Sequence, residues 1–282
     1  MAMTQSPLSG QSLAVLSALL EARTGQHIAS HRSTRVDTVL LPLMRERRIE
    51  TLDQLVYAVL DGRDPQLAGR VIDALVNCET SFFRDQHVFD HIVELVAEVE
   101  RDGRRARIWS AGCSTGQEPL SLAMMFAERH QAQGTPMPEI VATDVSEAAI
   151  ARARSGCYTQ FEVQRGLPIR QMVRWFEGRP GNEWVARPEL VRHISFRQMN
   201  LTVDPAPGGS FDLVLCRNVM LYFAPEPKKR AFRALAGAMR PNGLLILGAG
   251  ETVMGQTDLF QLASVGRGVY QKSDRPDPAA HA

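Results

Sequence analysis

A short apolar run ending at Ser110, a loop with glycines at 112 and 116, and an apolar-rich segment from Leu120 to His130 follow one another in this chain. The stretch reads Arg107-Ile-Trp-Ser-Ala-Gly-Cys-Ser-Thr-Gly-Gln-Glu118-Pro119. Strand, tight glycine turn and helix, in that order, are how a Rossmann-like sheet holds a nucleotide-bearing cofactor. The spacing departs from G-x-G-x-x-G, so a dinucleotide pyrophosphate is not the natural guest. Gly112 and Gly116 allow backbone to approach a ligand closely. Glu118 sets a carboxylate at the head of the helix. That charge repels a pyrophosphate and welcomes a cation, for instance the amino group and sulfonium of S-adenosylmethionine. The alternative is an ordinary βα turn whose glycines serve geometry alone.

One βαβ unit downstream, Pro138-Glu-Ile-Val-Ala-Thr-Asp144 reads as a second strand ending in an acid. An acid there accepts hydrogen bonds from ribose hydroxyls. Asp144 can instead cap a helix, because Ser146 and Glu147 open another helical stretch. Both roles stay open, and ribose is carried forward.

Composition excludes several classes. A length of 282 residues allows one large domain or two smaller ones, and 44% hydrophobic residues suffice for a sizeable core. A net charge of +1 gives no global reason to invoke nucleic acid. No apolar run is long enough to span a bilayer, and the N-terminus carries no charged-then-apolar signal. Cys78, Cys113, Cys157 and Cys216 are far apart, with no C-x-x-C and no histidine at ligand spacing. Reduced thiols in a cytoplasm are expected, and no metal site.

The chain divides into two styles. Up to about residue 80 it has helical periodicity. Leu13, Leu16, Leu19 and Leu20 share one face of a first helix ending near Gly25. Val39, Leu40, Leu43 and Met44 do so in a second; Thr51, Leu52, Leu55 and Val56 begin a third that ends near Gly62. Asp64-Pro65 opens a fourth, striped by Leu67, Val71, Ile72 and Leu75. This pattern predicts a small helical bundle. Arginines 32, 35, 45, 47 and 48 gather on or near its second helix, either as a solvated face or as a dock for an acidic partner helix.

After about residue 88, helices alternate with short apolar strands, as in an α/β domain. Expected strands are Ile108–Ser110, Ile140–Thr143, Ile194–Gln198, Leu213–Cys216 and Leu244–Gly248, with a closing hairpin near Phe260–Ala263 and Gly268–Gln271. Between Gln164 and His193 glycines and prolines break the alternation, and Trp175, Phe176 and Trp184 stand among them. That segment reads as an insertion whose aromatic residues form either its own small core or a docking surface. The tail from Ser273 has the composition of a disordered segment.

Cys78-Glu-Thr-Ser-Phe-Phe-Arg-Asp85 resembles the Asn-x-Thr-x-Phe-Phe-Arg segment of CheR, the chemotaxis-receptor glutamate methyltransferase family. The glycine loop from Ile108 to Pro119, Ala142-Thr-Asp144, Ala153-Arg-Ser-Gly-x-Tyr158, Asn200-Leu201 and Cys216-Arg-Asn-Val-Met-Leu-Tyr-Phe223 resemble that family's motifs, in order. The resemblance covers nearly the whole chain. It implies a helical domain over residues 1–80 ahead of a Rossmann-like, seven-stranded methyltransferase domain over 81–275. A small β insertion would lie at about 165–193, and a disordered tail over 276–282. It also implies S-adenosylmethionine as methyl donor, S-adenosylhomocysteine as product, and glutamates of a membrane receptor's cytoplasmic helical domain as acceptors. The enzyme would be a monomer that reaches the membrane only through its receptor.

Carried over residue by residue, Cys78, Thr80, Arg84, Gly112, Glu118, Asp144, Asn200, Leu201, Cys216, Arg217 and Asn218 would surround the cofactor. Arg84 and Tyr222 would act on the acceptor. Two positions depart from the family pattern: Cys78 stands where the family usually has Asn, with Asn77 just before it, and Gln117 replaces a common Glu.

The chemistry suits these residue types. A glutamate side chain has a reference pKa of about 4.3 and is ionised at neutral pH, so it needs no general base. Placement is the enzyme's task, and it can lower a barrier by roughly 7–11 kcal/mol in the best oriented cases. Arg84 can steer the acceptor carboxylate, or simply pair with Asp85. Tyr222 can border the methyl, or pack half-buried with its hydroxyl at the surface. Phe82 and Phe83 are expected at the junction between the domains. Proline at 180, which lacks a donor, and a short insertion argue against capture of a receptor-tail peptide by strand addition. Two other readings compete: a methyltransferase for a small molecule or nucleic acid, and a non-catalytic cofactor-binding module. The first lacks both an Asn-Pro-Pro-Tyr-like motif and a basic, aromatic-studded stripe. Retention of Arg84, Glu118, Asp144 and Tyr222 weighs against the second.

Overall fold

A computed structural model describes residues 10–28, 33–266 and 268–273, without the side chains of residues 33–35. Arg32, the side chain of Arg35 and the tail over 276–282 lie outside the described residues. Two compact units emerge: one takes the described residues up to Asn77 together with Tyr222–Lys228, the other Cys78–Leu221 and the described residues from Lys229 on.

The first unit contains four helices, α1 (Gly10–Thr24), α2 (Ser33–Glu46), α3 (Leu52–Asp61) and α4 (Pro65–Leu75). Local chemistry sets their ends. Thr51 and Gln54 form a reciprocal capping box at the start of α3, and Gly62 ends it at φ 68°. The Asp64 side chain accepts from the Gln66 N–H, with Pro65 in the first turn of α4. Leu16, Leu40, Leu55 and Val71 are fully buried between the helices. Val39, expected on the inner stripe, is 37% exposed; the buried face of α2 runs through Val36, Leu40, Leu43 and Met44.

The second unit is a seven-stranded sheet with helices. Its strands are β1 (Arg107–Ala111), β2 (Glu139–Asp144), β6 (Ile194–Gln198), β7 (Phe211–Cys216), β8 (Met239–Leu247), β9 (Phe260–Leu262) and β10 (Val269–Lys272). Their order is β6-β2-β1-β7-β8-β10-β9. The first five pair in parallel, and β10 pairs antiparallel with both β8 and β9. Every residue of β7 is buried, as in a parallel strand covered on both faces. The chain builds outward from β1 through β2 to β6, then returns to lay β7 and β8 on the other side. The switch point therefore falls between β1 and β7, and ligands bind such sheets at the carboxyl ends of the strands there. Helix α5 (Gln86–Arg101) precedes the sheet, α6 (Gln117–Gln133) follows β1, and α7 (Glu147–Ser155) follows β2.

A second, three-stranded antiparallel sheet has β5 (Glu183–Ala186) between β3 (Cys157–Thr159) and β4 (Phe176–Arg179). Pro180 lies in the turn between β4 and β5, with Gly181 and Asn182 at positive φ, so it removes no donor from either strand. The argument against strand addition therefore fails at that residue. Trp175 and Phe176 do not form a separate small core; both belong to the main core of this unit. Phe82, expected at a domain junction, is fully buried in that same core. Its ring meets Tyr158 at 5.1 Å and Phe176 at 5.5 Å, edge-on to both. Phe83 packs against Phe89.

Candidate functional site

The loop after β1 is fastened at almost every residue. Gly112 and Cys113 donate to the carbonyl of Thr143, at 2.8 and 2.9 Å. The Ser114 N–H donates to Asp144 Oδ2 at 2.8 Å, and its hydroxyl donates to the Cys78 carbonyl at 2.8 Å. The Tyr158 hydroxyl donates to the Thr115 carbonyl at 2.7 Å. Gly112 and Gly116 stand at φ 75° and 93°. A Cβ on Gly112 would come within 2.4 Å of Val219, and one on Gly116 within 2.8 Å of the Ala153 methyl. The space beside each glycine is thus filled by protein. These two residues serve the turn and its packing.

Asp144 is not the cap of α7. Ser146 takes that place, its hydroxyl accepting from the Ala149 N–H at 3.1 Å. Asp144 Oδ1 accepts from the Ser146 N–H at 3.0 Å while Oδ2 holds Ser114. One buried carboxylate thereby ties the end of β2 to the glycine loop. The Met199 N–H donates to the Asp144 carbonyl at 2.8 Å, which brings Asn200 and Leu201 to the same strand end. Asn200 Oδ1 accepts from the N–H and hydroxyl of Thr202, at 2.9 and 2.8 Å, an Asx turn that fixes the segment. Leu201 is buried.

Glu118, Arg217 and the exposed Asp85 form an ionic cluster around a buried guanidinium. The Arg217 side chain is only 2% exposed. Its Nη1 meets Glu118 at 3.1 Å, and its Nη2 donates to Asp85 at 2.6 Å and to the Arg84 carbonyl at 2.9 Å. Glu118 also accepts from the Ser110 hydroxyl at 2.7 Å. The expected Arg84–Asp85 pair does not form, because Asp85 is taken by Arg217. Arg84 is half-buried, and its side chain makes no hydrogen bond or ion pair among the described residues.

The loop after β7 carries Arg217, Asn218 and Val219. Asn218 adopts φ 59°, and its Oδ1 is buried without a partner among the described residues. Cys216 is fully buried, and burial pushes its thiol well above the usual range, as it does for Cys113. Neither thiol is available as a nucleophile at neutral pH. Sequence reasoning missed Glu251, whose carboxylate gathers the N–H groups of Asn218, Val219 and Gly248 at 2.7, 2.9 and 2.9 Å, and of Leu221 at 3.3 Å. An acid just past Gly248-Ala-Gly250, at the carboxyl end of β8, was the available signal.

Cys78 and Thr80 share a cavity of about 340 Å³ with Thr115 and Gln117 of the glycine loop and with Arg152 and Arg165. Arg165 is paired with Glu79 at 2.6 Å and Arg152 with Glu162 at 2.5 Å. Asn77 does not stand in for the family Asn at Cys78. It belongs to the helical unit, where its side-chain amide donates to the Tyr222 hydroxyl. In that unit the His27 N–H also donates to the Tyr222 carbonyl at 2.9 Å. Tyr222 is therefore described with the helices and not with the glycine loop.

The residues around β1, β2 and β7 fit S-adenosylmethionine. An acid closes β2 where a ribose would be held, and a second acid stands at the head of α6 for an ammonium. Asn218 Oδ1 and Arg217 Nε are buried polar atoms with no partner among the described residues.

Residues 78–269 match the family described as CheR methyltransferase, SAM binding domain. The chain is 33% identical over 273 residues to the chemotaxis protein methyltransferase of Vibrio parahaemolyticus, covering 96% of this chain and 99% of that protein. It is 33% identical over 260 residues to chemotaxis protein methyltransferase 1 of Pseudomonas aeruginosa, covering 90% and 94%. A chemotaxis protein methyltransferase of Listeria monocytogenes is 29% identical over 251 residues, covering 88% and 92%. From its helical N-terminus to its closing hairpin, this chain belongs to the CheR methyltransferase family.

Proposed function

We propose that this protein transfers a methyl group from S-adenosylmethionine to glutamate carboxylates in the cytoplasmic helical domain of chemotaxis receptors. The products are glutamate methyl esters and S-adenosylhomocysteine. The observation that carries this reading is the identity with a named chemotaxis methyltransferase along 99% of that protein's length. When bound, S-adenosylmethionine supplies a methyl on a positively charged sulfur. The rest is work for the chain's own residues. Asp144 accepts from ribose hydroxyls, and Glu118 faces the ammonium. Cys78, Thr80, Asn200, Leu201, Cys216, Arg217 and Asn218 complete the surround, with Gly112 shaping the loop. Arg84, whose side chain has no hydrogen bond or ion pair among the described residues to give up, orients the incoming carboxylate. Tyr222 borders the acceptor.

The acceptor is already ionised, so no residue need remove a proton. That accords with a site whose buried thiols and Tyr158 are all pushed toward their neutral forms by burial. Arg45 and Arg48 of the helical unit make no ion pairs among the described residues and suit an acidic receptor helix; Arg47 is taken by Asp64 at 2.7 Å. No helix among the described residues is long and apolar enough to cross a membrane. The protein would act in the cytoplasm, as a monomer.

The test is transfer of labelled methyl to receptor-containing membranes, followed by alkali treatment. A carboxyl ester releases methanol in base. Base-stable label would indicate another acceptor, and cofactor binding without transfer would indicate a non-catalytic module.

A further inference from the structure

We propose that Glu251 is a positioning residue for methyl transfer, an inference that rests on the reading above. The loop leaving β7 turns through left-handed backbone at Asn218, and the N–H groups of Asn218, Val219 and Leu221 converge on one point. Converging backbone N–H groups form a concavity that binds anions. Here a side chain of the same protein fills it. Glu251 Oε2 accepts from Asn218 and Gly248, and Oε1 from Val219 and Leu221. A carboxylate has about four acceptor positions, so Glu251 is fully committed to backbone and has none left for a ligand.

Two further contacts show how tightly the loop is set. A Cβ on Gly248 would lie 2.9 Å from Glu251 Oε2 and 3.0 Å from the Asn218 nitrogen, so only glycine fits beneath the carboxylate. Val219 in turn fills the space beside Gly112, which locks the loop after β7 against the loop after β1. Cys216 and Leu247 are paired neighbours at the ends of β7 and β8. Glu251 thus clamps the ends of β7 and β8 together, one strand away from the switch point between β1 and β7. It fixes Asn218, whose Oδ1 has no partner among the described residues, and Leu221, the residue immediately before Tyr222. Misplacement by about 1 Å far from the chemistry can lower a rate by about 100-fold.

The experiment compares Glu251→Gln, Glu251→Asp and the wild type in methyl transfer to receptor membranes, with circular dichroism as the check on folding. Glutamine places an amide NH2 against N–H donors and must abandon one pair of them. It is expected to lower kcat by about 10–100-fold while leaving KM for the receptor within about two-fold. Glu251→Asp keeps the carboxylate and is expected to recover part of the rate. Unchanged kcat in folded Glu251→Gln, a loss confined to KM, or an aspartate variant no faster than the glutamine one would overturn the inference. If Glu251→Gln does not fold, Glu251→Asp against the wild type decides in the same way, by a fall in kcat without a change in KM. Absence of base-labile transfer by the wild type would instead refute the methyl-transfer reading.

Discussion

Replacing Asp144 by asparagine separates the loop-tying role that the structure shows from the ribose-binding role proposed for the same side chain. In the folded chain Oδ2 accepts from Ser114 and Oδ1 from Ser146, both buried. Asparagine keeps one carbonyl oxygen and turns an NH2 toward the other donor. One buried N–H then loses its acceptor, at about 1–3 kcal/mol. For a protein of this size that lowers Tm by about 2–12 °C. The same change removes the charge that would hold the ribose hydroxyls. A hydrogen bond to a charged group contributes about 1.5–3 kcal/mol, so affinity for S-adenosylhomocysteine should fall about 10–150-fold. Scanning calorimetry reads the first effect and isothermal titration the second. A folded variant with a lowered Tm and unaltered affinity would refute the cofactor assignment and leave Asp144 as a tie between β2 and the glycine loop.

Other perturbations sort contact from scaffold. Arg84→Ala breaks no ion pair among the described residues, so Tm should barely move while the rate of methyl transfer falls more than cofactor affinity; equal losses in both would reassign it. Arg217→Ala removes the guanidinium that holds Glu118 and the exposed Asp85, and chemical denaturation should show a loss of about 1.5–3 kcal/mol. In native-state thiol labelling, Cys78 and Cys157 should react while Cys113 and Cys216 stay silent until the protein unfolds. Because burial raises those two thiols in the folded state, the unfolded chain releases their protons first, from about pH 8.5. Stability should be intact below that pH and fall above it, by about 1.4 kcal/mol per pH unit per thiol; urea midpoints that stay level from pH 8 to 10 would contradict this. Gly166→Ala would drive a Cβ to 2.1 Å from the Phe82 carbonyl at φ 92° and should cost more than about 3 kcal/mol, whereas Gly181→Ala, in an open turn, should cost about 1 kcal/mol by the same denaturation assay.

What the sequence disclosed and what it hid follow from how far apart the partners lie. Strand β1, its loop and α6 announce themselves because turn glycines and apolar runs are neighbours in the chain. The acid that ends β2 is equally visible, since a strand end has a fixed meaning in a parallel sheet. The role of Asp85 was hidden, because its partner Arg217 stands 132 residues away. Arg84, its chain neighbour, was the wrong candidate for that reason. Glu251 was silent for another reason: its partners are backbone N–H groups, which every sequence has and no pattern marks. Aromatic residues misled in a third way. Trp175 and Phe176 look like members of a local cluster and Phe82 like a residue of the domain junction, but all three belong to one core, and only the tertiary contacts reveal it. Pro180 was read as an edge blocker because its place in the turn depends on a register that composition does not set.

A reaction that needs no base leaves an enzyme with the problem of holding loops and charges still. Carboxylates carry that burden at three of the strand ends in this chain. Asp144 joins the end of β2 to the loop after β1, and Glu251 joins the end of β8 to the loop after β7. Glu118 balances Arg217, which reaches back to Asp85 and the Arg84 carbonyl. Each acid is satisfied differently, and the difference separates their roles. Glu251 meets four backbone donors and is complete within the protein. Glu118 is held by a hydroxyl and a guanidinium, and Asp144 ties two loop amides at the end of β2, beside the switch point. The loops at these strand ends are therefore shaped by the protein's own carboxylates.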